Sequence, residues 1–258
     1  MFLADLLSIK KNDGIATVVI DNPPMNVLSS KVTAELDQSF RQLREDESVK
    51  VIILTGAGDR AFMAGADINE FAEEENEQTE TPDVQEVFSF IENIPKPTIA
   101  LLNGYTLGGG LELALTCDIR IAEAHAQVGL PEVNLGLLPG AGGTQRLTRI
   151  IGPAKAKEIM FGGDPLSAEE ASELGIVNKV VPQGEGKEAA EKFAATYAAK
   201  SVQALSRIKR LINSVSEYPL QEGLQLEKQL FNDLFATEDA REGIRAFREK
   251  RKPVFTNR

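Results

Sequence analysis

Apolar positions in the first hundred residues switch between two periods. Ile15–Ile20 (IATVVI) is β-branched and apolar and runs into the turn cluster Asp21-Asn22-Pro23-Pro24, which predicts a strand. Ser29 or Ser30 can cap a helix through KVTAELDQSFRQLRED. Its Val32, Leu36, Phe40 and Leu43 fall at spacings of four, four and three, on one helical face. Val49–Leu54 is a continuous apolar run broken only by Lys50 and ends at Thr55-Gly56, as a buried parallel strand would. Residues 84–94 predict a second helix, stopped by Pro95 and Pro97. Thr98–Leu102 (TIALL) predicts a third buried strand entering Gly104. The order β-α-β-α-β implies an α/β fold with parallel strands and right-handed crossovers.

The last quarter changes character. From about Gly186 the glycines thin out and helical patterns dominate. Leu226, Leu230, Phe231, Leu234 and Phe235 form one stripe. Thr237 can cap a following helix, with Glu238 and Asp239 in its first turn, Ala240, Ile244 and Phe247 on its apolar face, and Pro253 beyond it. By pattern alone such a stripe predicts packing within the chain. The acidic segment 73–80 (EEENEQTE) predicts a solvated loop.

Charge and cysteine content narrow the partners. The 258 residues carry 28 basic and 39 acidic side chains, a net charge of −11, which argues against a nucleic-acid surface. Cys117 is the single cysteine, so no intrachain disulfide and no Cys/His metal spacing is expected. The start, MFLADLLSIKKNDG, lacks the basic region and cleavage site of a signal peptide, and no run of about 18 apolar residues exists to span a membrane. The expectation is a cytoplasmic protein without membrane contact.

Several segments carry candidate chemistry. GAGDRA (56–61) matches a degenerate dinucleotide fingerprint after a strand, but a glycine falls where its helix should continue. His125 is the only histidine and, without a partner, reads as a packing residue. In NGYTLGGGLELALTCD (103–118), three glycines follow a buried strand and open a helix whose unpaired amides suit an anion or a developing oxyanion. Glu112 lies in that first turn among Leu111, Leu113 and Ala114. Glu132 lies in VGLPEVNLGLLPGAGG, a stretch too apolar for a typical surface loop. Two carboxylates in such settings can form an acid/base pair. If they converge, one is expected protonated and the other ionised. AFMAGADINEF (61–71) again sets small residues after a strand end, where open α/β folds place ligands.

These elements, in this order, resemble the enoyl-CoA hydratase/isomerase (crotonase) superfamily over nearly the whole chain. DNPPMNVLS, VIILTGAGDRAFMAGADI, PKPTIALLNGYTLGGGLELALTCDIRIA, AQVGLPEVNLGLLPGAGGTQRL and TEDAREGIRAFREKRKPVF carry the resemblance. It implies a repeated β-β-α superhelix over residues 1–190 for binding and catalysis. Residues 191–258 would be a helical trimerisation region, giving a homotrimer or dimer of trimers, so the C-terminal stripe would become a subunit contact.

The resemblance also implies an acyl-coenzyme A thioester as substrate and no cofactor besides the coenzyme A it carries. The oxyanion-hole amides would be those of Ala66 and Gly109, with Glu112 and Glu132 catalytic. Retention of both glutamates points to hydration of a trans-2-enoyl-CoA, a reaction of fatty acid β-oxidation. Ala64, Asp67 and Ile68 would contact substrate beside the first amide, and Leu130 and Pro131 beside the second glutamate. Gly140 would hold the water or the Glu132 carboxylate through its amide.

Departures from the family pattern sharpen the picture. Asn69 stands where many hydratases carry lysine, which removes one phosphate contact. Val128 and Leu130 replace an aromatic and a glutamine, making the acyl side more apolar. Methylglutaconyl-CoA hydration or double-bond isomerisation on the same scaffold is the near alternative. An RNA-binding relative and a nicotinamide enzyme resting on GAGDRA are the distant ones. Because the net charge is −11, the phosphates of coenzyme A must be met locally. The densest basic cluster is Arg248, Lys250, Arg251 and Lys252, with Lys250 the expected contact, in its own chain or across a subunit interface.

Overall fold

The computed structural model describes residues 5–68, 70 and 82–257. Strands β1 (Leu7–Asn12) and β2 (Ile15–Ile20) form an antiparallel hairpin. Strands β3 (Val51–Gly56), β5 (Thr98–Leu102), β7 (Ile119–Glu123) and β10 (Lys179–Val181) extend it in parallel, giving the order β1-β2-β3-β5-β7-β10. A second sheet holds β4 (Ala61–Ala64), β6 (Tyr105–Leu107) and β8 (Gln127–Gly129) in parallel, with β9 (Leu166–Ser167) antiparallel at its edge. Each pair β3-β4, β5-β6 and β7-β8 gives one strand to each sheet. The chain therefore climbs in β-β-α steps, as the resemblance implies. The pattern of apolar and polar residues does not predict β4, β6 and β8. They are only three or four residues long and flanked by glycine.

Helix α1 (Ser30–Glu45) begins where Ser29 accepts a hydrogen bond from the Val32 amide, a cap worth about 1 kcal/mol. It buries Val32, Leu36, Phe40 and Leu43 against the larger sheet. Helix α2 (Val84–Glu92), capped by Asp83, buries Val87, Phe88 and Ile91 in the same core. Phe40, Phe62 and Phe88 are fully buried there, each stabilising the fold by roughly 2–3 kcal/mol. The acidic segment 73–80 and Asn69 lie outside the described residues.

Helix α3 (Gly109–Thr116) is buried along its whole length, as its apolar sequence requires. It is followed by α4 (Gly143–Ile151), α5 (Pro153–Gly162) and α6 (Ala168–Glu173). Helix α7 (Gly186–Ala198) covers the opposite face of the larger sheet, where Ala190 and Ala194 pack on Val51, Ile53, Ile99, Leu101 and Ile121. The expected boundary after residue 190 therefore falls inside a helix that belongs to the sheet layer. The helices that contribute little to either core begin with α8 (Val202–Asn213) and continue with α9 (Leu220–Phe235) and α10 (Glu238–Arg248).

The α9 stripe is not consumed within the chain. Leu230 is buried, but Phe231 and Phe235 are 61% and 59% exposed, and Phe247 of α10 is 86% exposed. The Thr237 cap forms as expected, bonding the Ala240 amide. Helix α10 ends at Arg248, before Pro253 is reached. Among the described residues no helix is long and apolar enough to cross a membrane.

One close approach ties α3 to the second sheet. A Cβ at Gly110 would lie 2.0 Å from the Met63 carbonyl oxygen of β4. Gly110→Ala must push the helix off the strand, and overpacking of this kind costs about 1–3 kcal/mol or more. The urea midpoint of this variant is expected to fall clearly below wild type. An unchanged midpoint would show that α3 does not need this contact.

Candidate active site

Three parallel strands of the smaller sheet end at one edge, and each leads into a site residue. Beyond β4, Gly65 turns with φ +93° and presents Ala66. Beyond β6, Gly108 turns with φ +52° and Gly109 opens α3. Beyond β8, Leu130 and Pro131 lead into a single 3-10 turn, Glu132–Leu135.

Ala66 is held by its neighbours. The Leu28 amide bonds the Gly65 carbonyl at 2.8 Å, and the Asp67 amide bonds the Leu28 carbonyl at 2.9 Å, forming a one-residue bridge across Ala66. Glu70 adds a tether by accepting from the Ser30 amide and hydroxyl at 2.8 and 2.9 Å. This pattern leaves the Ala66 N–H without an acceptor among the described residues. The Gly109 N–H is the first of a helix and has no intrahelical acceptor either. A Cβ on Gly109 would lie 4.0 Å from the Ala66 nitrogen, so the two amides are neighbours. Paired free donors of this kind suit a developing oxyanion.

Glu112 is 3% exposed. Its Oε1 accepts from the Ala141 amide at 2.8 Å and the Gly143 amide at 2.7 Å, at the N-terminus of α4. Burial raises its pKa above the usual carboxylate value, and the two amides and the Arg146 guanidinium pull it back. Glu132 is half-buried, with Oε1 beside Gly108, where a Cβ would lie 3.2 Å away. Its Oε2 is buried without a hydrogen-bond partner. Burial, and then the charge of Glu112, push its pKa up to about 7, while its own amide opposes the shift. The two carboxylates therefore feel each other. Glu112 has three groups favouring its anion, and Glu132 has an oxygen suited to carrying a proton.

The other expected contacts are placed around this centre. Ala64 ends β4 and bonds the Met25 carbonyl through its amide. Asp67 is half-buried, and Ile68 is 59% exposed beside it. Leu130 is buried against Gly143, and Val128 is fully buried in β8. Pro131 starts the 3-10 turn.

The Gly140 amide makes no bond to the Glu132 carboxylate among the described residues. The loop's amides that reach a carboxylate are those of Ala141 and Gly143, and they reach Glu112. Gly140 contributes its carbonyl, which accepts from Gln85 Nε2 at 2.6 Å. The Lys250 amide closes the end of α10 on the Phe247 carbonyl. The tail around it bonds α10 and α8, through Glu242, Asp239 and Val202, and Arg251 is paired with Glu242 and Glu249.

His125 sits elsewhere, with Nε2 2.9 Å from the Asp59 carbonyl. The GAGDRA segment joins two strands, β3 and β4, rather than a strand and a helix, so it is no dinucleotide loop. Ala141, Gly143 and Arg146 were not singled out as site residues from the sequence. Their signal in the sequence is PGAGG followed by a helix start.

Comparison with known proteins places the chain in a family. Residues 10–258 match the family model described as "Enoyl-CoA hydratase/isomerase". The chain belongs to the enoyl-CoA hydratase/isomerase family. It is 44% identical over 253 residues to a Bacillus subtilis protein named "Probable enoyl-CoA hydratase", covering 96% of this chain and 98% of that one. It is 39% identical over 247 residues to the short-chain-enoyl-CoA hydratase of Clostridium acetobutylicum, covering 95% of each. The crystal structure of a Bacillus anthracis enoyl-CoA hydratase superposes with a TM-score of 0.93 at 38% identity, covering 98% of this chain and 100% of that one. Family membership confirms the resemblance drawn from the motifs and the fold class with it.

The raised Glu132 pKa has a consequence for stability. The folded state keeps a proton that the unfolded chain releases near pH 4.5, so this group's contribution is present below that pH and is lost as pH rises through about 7. Denaturation free energy should therefore contain a component that falls between pH 4.5 and 7. Glu132→Gln should flatten that component. An identical pH dependence in both proteins would contradict the buried, proton-bearing state.

Proposed function

We propose that this chain adds water syn across the 2,3 double bond of a trans-2-enoyl-CoA to give a 3-hydroxyacyl-CoA. The observation that carries the reading is the convergence of two unlike carboxylates at the strand edge that also presents two unpartnered amides. The thioester oxygen accepts from the Ala66 and Gly109 amides. Ionised Glu112 takes a proton from water as its oxygen bonds to C3. The π electrons move toward the thioester oxygen, where the two donors stabilise the charge; one such donor is typically worth about 3–4 kcal/mol. Protonated Glu132 then delivers its proton to C2, and both deliveries come from one side. Proton exchange afterwards restores the two carboxyl groups. Pro131 stands at the acyl side, with Leu130 and Val128 packed in the core behind it, and the name of the Clostridium acetobutylicum relative supports short enoyl chains. Ala64, Asp67 and Ile68 flank the thioester side, next to the Ala66 amide.

A homotrimer, or a dimer of trimers, accounts for the exposed Phe231, Phe235 and Phe247. In such an assembly Lys250 of one subunit would meet the coenzyme A phosphates bound by another. Hydration of a trans-2-enoyl-CoA is a step of fatty acid β-oxidation, and this reading places the protein there, in the cytoplasm.

The reading is tested by loss of the enoyl absorbance band with crotonyl-CoA. Glu112→Gln and Glu132→Gln should each lower kcat by about 10²–10⁴-fold with the fold intact. Wild-type rates in both variants would overturn it. The assembly is tested separately by sedimentation. Phe231→Asp should shift the protein from trimer or hexamer toward monomer, and an unchanged particle mass would reject α9 as the subunit contact.

A further inference from the structure

The loop that bonds Glu112 is itself held from outside by one helix. Arg146 of α4 folds back, and its Nη1 donates to the Ala141 carbonyl at 2.9 Å. Its Nε and Nη2 form a fork on Glu92 Oε2 at 2.9 and 2.8 Å. Glu92 is the last residue of α2, and Gln85, seven residues earlier on the same face, donates to the Gly140 carbonyl. Ala141 is thus gripped through both of its peptide links. Its N–H bonds Glu112 and its C=O bonds Arg146. Gly142 has φ +106°, and a Cβ there would lie 2.0 Å from Arg146 Nη1, so the guanidinium passes where only glycine leaves room.

We propose that Arg146 is a positioning residue for Glu112. By holding the Ala141 carbonyl while paired to Glu92, it fixes the two amides on the carboxylate and keeps a positive charge beside it. The proposal rests on the assignment of Glu112 as the base.

The surroundings of Glu112 make Arg146 its one cationic neighbour among the described residues. Helix α4 offers Arg146, with Glu92 of α2 behind it, and the 3-10 turn offers Glu132. Strands β4 and β6, also packed on α3, carry no charged side chain, and Glu112 is the only one in α3 itself. The salt bridge is sheltered, with the Arg146 side chain 13% exposed, so its geometry is less screened than that of a surface pair. Arginine is suited to this place because one planar group serves a carboxylate and a carbonyl at once, which lysine cannot reproduce.

Crotonyl-CoA hydration measured from pH 5.5 to 9 separates positioning from mere support. Arg146→Met removes the charge and the grip. Its kcat should fall about tenfold or more with KM within about twofold, and the acid limb of kcat should move up by on the order of half to one pH unit. The sign follows from the charge: without the guanidinium, Glu112 takes up its proton at higher pH. Arg146→Lys keeps the charge but loses the fork, so its acid limb should stay within about 0.2 units while kcat falls several-fold. Glu92→Gln leaves Arg146 on Ala141 with less neutralisation, so its acid limb should stay or move down.

A folded Arg146→Lys with wild-type kcat overturns the proposal. So does a folded Arg146→Met whose loss lies only in KM or whose acid limb does not move. Circular dichroism and thermal melts establish folding, and if Arg146→Met does not fold, Arg146→Lys decides alone. Glu112→Gln measured alongside keeps the two failures apart. Wild-type rate in that variant overturns the base assignment itself. An inactive Glu112→Gln beside an Arg146→Lys of wild-type rate overturns only the clamp.

Discussion

The site depends on a carboxylate taken out of water where two helices begin. Glu112 lies in the first turn of α3, and its Oε1 is bonded at the start of α4. An unpaired carboxylate in that position would be costly or would simply hold a proton. Two amides and a nearby guanidinium reduce that cost without removing it, because burial still dominates the balance. The charge that survives on Glu112 in turn helps push Glu132 upward. Burial of Glu132 itself supplies the larger part of that shift, and the neighbouring anion adds to it. Two chemically identical side chains thus sit in unlike surroundings, the basis for the opposite roles proposed for them.

Much of the frame could be read from the chain. Strands β2, β3 and β5 and helices α1 and α2 declare themselves because each has a clear period and a clear stop, such as Ser29 before α1 or Pro95 after α2. The second sheet was hidden for a physical reason. Strands of three residues, such as Tyr105–Leu107, are too short to display an alternation, and their glycine neighbours read as loop. A boundary at residue 190 cuts α7, whose alanine-rich, polar sequence gives little sign of burial. Ala190 and Ala194, with Phe193 and Tyr197 beside them, pack it on the sheet.

The site was legible in its residue types but not in its contacts. Glu112 and Glu132 stood out as acids in apolar company, and the glycines around Gly109 stood out as a helix opening. Their convergence needed the fold, since twenty residues and a full β-β step separate them. The anchoring of Glu112 by Ala141 and Gly143 was out of reach for another reason. Backbone amides have no signature of their own, and the glycines that free them were open to other uses. The resemblance supplied the roles that spacing could not.

The two free donors at Ala66 and Gly109 belong to the main chain, whereas both proton-transfer groups are side chains. A single codon change can delete either acid or replace it by another chemistry, but it cannot delete an N–H unless it introduces proline. Heritable variation in this scaffold is therefore channelled. The capacity to stabilise a thioester enolate is passed on almost intact, while the means of moving protons around it can be exchanged one position at a time.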